Sequence, residues 1–197
     1  MAARNATKMV LFLVSANVGA ACASAPGKTA ESTGSNPRDH VEADLRFVLG
    51  MIPHHAQALT MTDLVPDRTD NEAMHRLARR IEISQKDEMR IMERWLERRG
   101  EAVPEGHHHG PLMPGMLTQE ELGRLTQATG NEFDRLFLEL MIRHHEGALV
   151  MVADLFSGGG GQEAEVFQLA SHVDADQHAE IARMRAMLNN PLQEGNE

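Results

Sequence analysis

Most of the chemistry available to this 197-residue chain lies in one short pattern that occurs twice: Met51-Ile-Pro-His54-His55 followed by Met61, and Met141-Ile-Arg-His144-His145 followed by Met151. Met (13) and His (11) are both plentiful beside one Trp, six Phe and no Tyr. Neutral imidazole binds copper, zinc, iron or nickel, whereas thioether sulfur selects for Cu(I), so a mixed His/Met set favours copper. On a helix turning about 100° per residue, Met51, His54, His55, Ala58 and Met61 fall on one stripe. The same spacing groups Ile81, Gln85, Glu88, Met89 and Met92, with Gln177, Glu180 and Met184 among the later counterparts. Glu88 and Glu180 could ligate, or orient an imidazole from behind. A further set lies in His107-His108-His109-Gly-Pro-Leu-Met113-Pro-Gly-Met116. Gly and Pro keep that stretch irregular and its donors reachable by an incoming metal.

Each feature also has a plainer reading. Met at helical spacing fills irregular gaps in cores. Adjacent histidines diverge by about 100°, so one of each pair is left to face a helix interface or solvent. The His/Met linker is then a polar connector, and the whole a structural or partner-binding bundle. Recurrence of the full Met-x-x-His-His pattern, with its later Met, is what favours metal.

The elements that must position these residues are themselves duplicated. Asp44, Phe47, Met51, Ile52, His54, His55, Ala58, Leu59 and Met61 recur at a constant offset of 90, from Asp134 to Met151. A second block recurs at offset 92, matching Leu77, Ala78, Gln85, Glu88, Met92 and Leu96 to Leu169, Ala170, Gln177, Glu180, Met184 and Leu188. Every block has helical periodicity and none alternates like a strand. The pattern predicts helices over about Val41 to Thr62, Asn71 to Arg99, Glu132 to Leu155 and Glu163 to Leu188, with stops at Val65-Pro66-Asp67, Gly100, Ser157-Gly161 and Asn189-Asn190-Pro191. Ser157-Gly161 lacks a following Gly-Lys-Ser and reads as a flexible turn rather than a phosphate loop. The fold class is therefore all-α, an antiparallel four-helix bundle of two duplicated helical hairpins. Pro53 lies inside the first helix and should bend it, and its counterpart is Arg143.

Outside the bundle, Arg4 and Lys8, then Met9 to Ala16, then Gly19-Ala20-Ala21-Cys22, read as an export signal over 1–21, too short to span a membrane. Cys22 is the only cysteine, which excludes an intrachain disulfide and fits a lipidated N-terminus; Ala21-x-Ala23 or Ala23-x-Ala25 could instead direct ordinary cleavage. The expected organisation is a flexible tether over 22–38, the bundle over 39–190 (hairpins 39–100 and 131–190 joined by the linker 101–130) and a tail over 191–197. The expected location is periplasmic or cell-envelope, lipid-anchored through Cys22. Net charge is −10, and −12 without the signal, which argues against nucleic acid as a partner. Oligomeric state is open. Enzyme signatures are poor: Glu-x-x-His occurs only at Glu72/His75 and Glu105/His108, neither repeated, and no nucleophile elbow is present.

Taken together, Met51-Ile-Pro-His-His55, Met113-Pro-Gly-Met116 and Met141-Ile-Arg-His-His145 resemble family 305 of the domains of unknown function, over about Asp39 to Leu188. The resemblance implies a ferritin-like four-helix bundle, often exported, with some members binding copper through Met and His and assisting copper tolerance. It maps the family's motif onto Met51, His54, His55, Met141, His144 and His145, with Met61 and Met151 completing the stripes. The expected function is an exported copper-binding protein that buffers or hands on the ion and catalyses no reaction. The rivals are a bundle without metal and a ferritin-like di-metal oxidase.

Overall fold

The computed structural model describes residues 37–104 and 112–189, and all of their regular structure is helical. The helices are α1 (Pro37–Thr62), α2 (Val65–Arg68), α3 (Glu72–Glu97), α4 (Gln119–Gln127), α5 (Gly130–Ser157) and α6 (Ala164–Asn189). The long helices α1, α3, α5 and α6 are the four expected, with ends displaced by about a turn or less. α1 runs unbroken through Pro53. The stop at Val65-Pro66 is itself one helical turn, and the linker holds a helix, α4, that its Gly/Pro content concealed. α4 starts at a capping box: Glu121 N–H donates to the Thr118 hydroxyl, and Thr118 N–H donates to the Glu121 carboxylate. No described helix is long and apolar enough to cross a membrane.

α1 packs on α3 and α5 on α6, forming the two hairpins, which then meet along α1–α5 and α3–α6. Apolar residues gather in two separate half-cores. One holds Phe47, Met51, Met92, Trp95, Val152 and Leu169, the other Met61, Leu77, Ile81, Phe133, Met141 and Met184. Following the chain, α1 and α6 run from the first half-core to the second, and α3 and α5 run back. Repeated residues therefore come together about a pseudo-two-fold axis.

The repeated aspartates clamp the hairpins to each other. Asp44 on α1 accepts from Gly161 N–H in the α5–α6 turn (2.5 Å), and Asp134 on α5 accepts from the Asn71 amide at the start of α3 (2.7 Å). Asn71 also caps α3 through Ala73 N–H. The Ser157–Gly161 turn is thus packed rather than loose. Gly161 has φ +73°, and a Cβ at Gly160 would lie 2.4 Å from Leu155 Cδ1 and 2.8 Å from the Asp44 carboxylate, so side chains are excluded from the turn. Arg99 stacks over Trp95 at 3.8 Å and pairs with Glu163, closing that end between α3 and α6.

Candidate metal centre

Between the half-cores lies a polar layer with two residues from each long helix: His54 and His55, Gln85 and Glu88, His144 and His145, Gln177 and Glu180. All eight are buried. The i, i+3 spacing of Gln85/Glu88 and Gln177/Glu180 puts both members on one helix face. The adjacent histidines do diverge, and all four imidazoles are interior: of the two alternatives for the second member of each pair, helix interface or solvent, it takes the interface. His54 and His144 turn toward each other across the pseudo-two-fold, with ring centroids 3.9 Å apart. His55 and His145 turn back to the partner helix of their own hairpin. His55 Nε2 shares a hydrogen with Glu88 Oε2 at 2.6 Å, and His145 Nε2 with Glu180 Oε2 at 2.7 Å.

A carboxylate behind an imidazole fixes the ring and assigns its nitrogens. In both Glu–His pairs Nε2 is engaged, so Nδ1 is the nitrogen open to a ligand. His54 reaches the same state by another route, since its Nε2–H donates to the Pro114 carbonyl at 3.0 Å. Among the described residues, Nδ1 of His54, His55 and His145 has no hydrogen-bond partner, nor do the Gln85 amide, Glu88 Oε1 and Gln177 Oε1. His144 makes no well-formed ring hydrogen bond and approaches only the His54 backbone.

Burial disfavours charge on His54, His55, His144 and Glu88. It pushes His54 down to about 3, with His55 adding to the effect, and His55 down to about 3, with His145 adding to it. His144 falls well below the usual imidazole range, from burial first and the neighbouring His54 second. Burial pushes Glu88 up to about 8, reinforced by Asp176 and Glu180. At neutral pH His54, His55 and His144 are therefore uncharged, and Nδ1 of His55 is open to a ligand when the ring hydrogen lies on Nε2, toward Glu88. Neutral imidazole is the metal-binding form.

Thioethers bracket the layer. Met51 and Met92 lie one turn from it in the first half-core, Met141 and Met184 one turn from it in the second, all four without solvent exposure. One turn is about 5 Å along the axis, within reach of a flexible Met side chain. Met61 is two turns out within apolar neighbours, and Met89 and Met151 are half-buried at the edge of the first half-core. Among the described residues, no three His, Cys, Asp or Glu side chains converge as a ready-made ligand set. The donors present fit a soft ion held by imidazole and thioether together better than a hard ion held by carboxylates. His75 of the Glu72-x-x-His75 pair donates to the Thr69 carbonyl, away from the layer.

The linker has a role that its composition did not disclose. Met113 to Leu117 forms a strap along the α1–α5 groove. Gln57 grips the Leu117 backbone at both N–H (2.7 Å) and C=O (3.0 Å), and Pro114 takes His54. A Cβ at Gly147 would lie 1.9 Å from the Pro114 carbonyl oxygen, so only glycine admits the strap against α5. Met113 Sδ and Met151 Cε both lie 3.2 Å from where a Gly50 Cβ would be, so both side chains cover Gly50. Met116, expected to be open to incoming metal, is buried, and Met113 is half-buried. His107, His108, His109 and Cys22 lie outside the described residues.

Comparison with known proteins places this architecture. A DUF305 fragment from Deinococcus radiodurans is 32% identical, with TM-score 0.67 over 75% of this chain and 96% of that one. A DUF305 protein of Streptomyces coelicolor, described as secreted, is 29% identical, with TM-score 0.67 over 79% and 98%. CopM in its Cu(II)-bound form is 29% identical, with TM-score 0.64 over 75% and 96%. An uncharacterized protein of Acanthamoeba polyphaga mimivirus is 39% identical over 56 residues, which are 28% of this chain and 37% of that protein's length. The family model for DUF305, a domain of unknown function, matches residues 44–188, and the chain belongs to that family.

Proposed function

We propose that this chain is an exported, copper-binding protein of the cell envelope that buffers the ion or hands it on. The observation that carries the reading is the buried polar layer, in which imidazoles are oriented through Nε2 by Glu88, Glu180 and Pro114 while their Nδ1 atoms are left without hydrogen-bond partners. A layer serving packing alone has no need of such groups, because unpaired buried polar atoms cost stability. His54, His55, His144 and His145 are the proposed nitrogen donors, with Met51, Met92, Met141 and Met184 the nearest sulfurs and Glu88 and Glu180 as orienting carboxylates. Met61, Met89 and Met151 are more distant candidates, with Met113 and Met116 on the strap. Likeness to CopM, itself solved with Cu(II), supports copper. Export draws on the 1–21 signal and on likeness to a protein described as secreted; anchoring through Cys22 is part of the same proposal.

The test is titration of tag-free protein with Cu(I) against a competing chelator, beside His107/His108/His109→Ala and His54/His144→Leu variants. Stoichiometric binding is expected to survive the linker change and to be weakened at least about tenfold by the layer change. Binding lost only with the linker histidines, or absent altogether, would return the bundle to a scaffold.

A further inference from the structure

The surface feature least accounted for by a metal layer is a basic groove in a chain of net charge −10. α3 and α6 approach each other less closely than the helices within each hairpin. They leave two adjoining hollows of ≈ 540 and ≈ 390 Å³. Arg76, Arg80 and Arg183 line both, and Arg79 lines the larger. Among the described residues Arg79, Arg80 and Arg183 form no ion pair, and Arg76 meets only Glu72 on its own helix at 3.7 Å. Further along α3 the pattern changes, since Arg98 and Arg99 are taken by Glu165 and Glu163. Two carboxylates, Asp176 and Glu180, share the larger hollow, but Glu180 is already engaged by His145 and Ser84. The floor between the arginines is apolar, with Leu77, Ala179 and Met187, and Ile83 left 57% exposed.

We infer that this groove docks an acidic amphipathic helical segment of a partner protein. Guanidinium groups lacking an internal partner are suited to bidentate carboxylate contacts. The recessed apolar floor takes the other face of such a helix, the helix-in-groove mode. A flat anionic membrane would meet the rim arginines without filling the floor. The lined stretch, Ala73 to Ser84 on α3 and Asp176 to Met187 on α6, is about 17 Å long, three turns of a docked helix. Glu180 joins the groove wall to His145, so a docked partner lies beside the histidine layer. Docking itself needs no bound metal, and its failure leaves the copper reading untouched.

The test uses the metal-free full chain and a fluorescein-labelled helical 20-residue peptide with Glu on one face and Leu on the other, followed by anisotropy. Arg79/Arg80/Arg183→Glu is compared with Arg90/Arg94/Arg124→Glu, which changes net charge equally outside the groove; circular dichroism verifies that both are folded. The expected result is binding to the native chain that weakens about tenfold or more in the groove variant and less than about threefold in the control, with a steep loss in added salt. No binding to the native chain, or equal loss in both variants, would overturn the assignment. So would groove-dependent binding of phosphatidylglycerol vesicles without peptide binding, or groove-dependent self-association that excludes the peptide; these would give the groove to a membrane or to a second copy.

Discussion

Replacing His55 with Leu and Glu88 with Met together should make the metal-free bundle more stable. Both side chains are buried, and each carries one polar atom without a partner, His55 Nδ1 and Glu88 Oε1. Leaving a buried polar atom unpaired costs about 1–3 kcal/mol, so the two together cost about 2–6. The substitution also removes the 2.6 Å hydrogen bond between them, worth about 1–2 kcal/mol net. Leu and Met roughly preserve volume and leave no large cavity. The balance is a gain of about 1–4 kcal/mol, in line with buried polar pairs replaced by apolar ones elsewhere. For a chain of this length that is about 3–12 °C in Tm. The single Glu88→Met change goes the other way: it removes the unpartnered Oε1 but strands His55 Nε2 in its place, so the net effect is loss of the hydrogen bond, about 1–2 kcal/mol. Thermal and urea unfolding in the presence of a chelator, followed by Trp95, the one tryptophan and a member of the adjoining half-core, measures all three proteins. A double variant less stable than the native chain would mean that the pair is retained for folding and would remove the main argument for a ligand role.

Gly147→Ala should dislodge the strap: the new Cβ meets the Pro114 carbonyl at 1.9 Å, and the cost of about 1–3 kcal/mol exceeds the roughly 0.5–1 kcal/mol that Ala gains in a helix. Hydrogen exchange at Met113 to Leu117 should accelerate, and unchanged protection there would show that the strap tolerates the shift. The Arg143 guanidinium, bonded to Glu121, holds that carboxyl down at about 2, below its ordinary 4.5. A depressed folded value means the bond contributes fully above about pH 4.5 and is lost as pH falls through about 2, so Glu121→Gln should cost up to about 1 kcal/mol at pH 7 and only a small fraction of that at pH 2. Urea midpoints at the two pH values measure this, and an equal cost at both would refute the electrostatic origin.

Much of this was legible because duplication wrote it twice. The offset of 90 singles out His54/His144 and His55/His145 without any structure, and helical spacing puts Gln85 with Glu88. What spacing cannot supply is the register between helices. That Glu88 meets His55 rather than His54 depends on how far α3 slides along α1, a sum of many apolar contacts in both half-cores. The same limit hid the clamps, since Asp44 and Asp134 were visible as repeats but their partners, Gly161 and Asn71, are in the opposite hairpin. The Met stripe does face inward, but spacing alone could not say how far each sulfur lies from the histidines: Met61 sits two turns away among apolar neighbours. α4 was signalled by Thr118-x-x-Glu121, but the preceding Gly and Pro dominated the reading of the linker.

Duplication also implies two equivalent halves, and the layer departs from that at two points. The strap has no second copy, so it can satisfy only one member of each related pair. Gln57 grips it where the related position is Gly147, which yields to it, and Pro114 engages His54 Nε2 while His144 Nε2 is left without a partner. The second departure is Ser84 against its counterpart Asp176. Ser84 donates to Glu180 Oε1 at 3.1 Å, whereas Glu88 Oε1 has no partner and Asp176 helps to push its carboxyl up. His145 is therefore backed by a carboxyl group tied to α3, and His55 by one without that tie, whose pKa burial raises and Asp176 raises further. Two donor sets that are alike in sequence thus differ in what orients them. If both halves bind, their affinities should differ: two equal sites in a titration would mean that neither the strap nor the Ser84/Asp176 exchange reaches the ligand atoms.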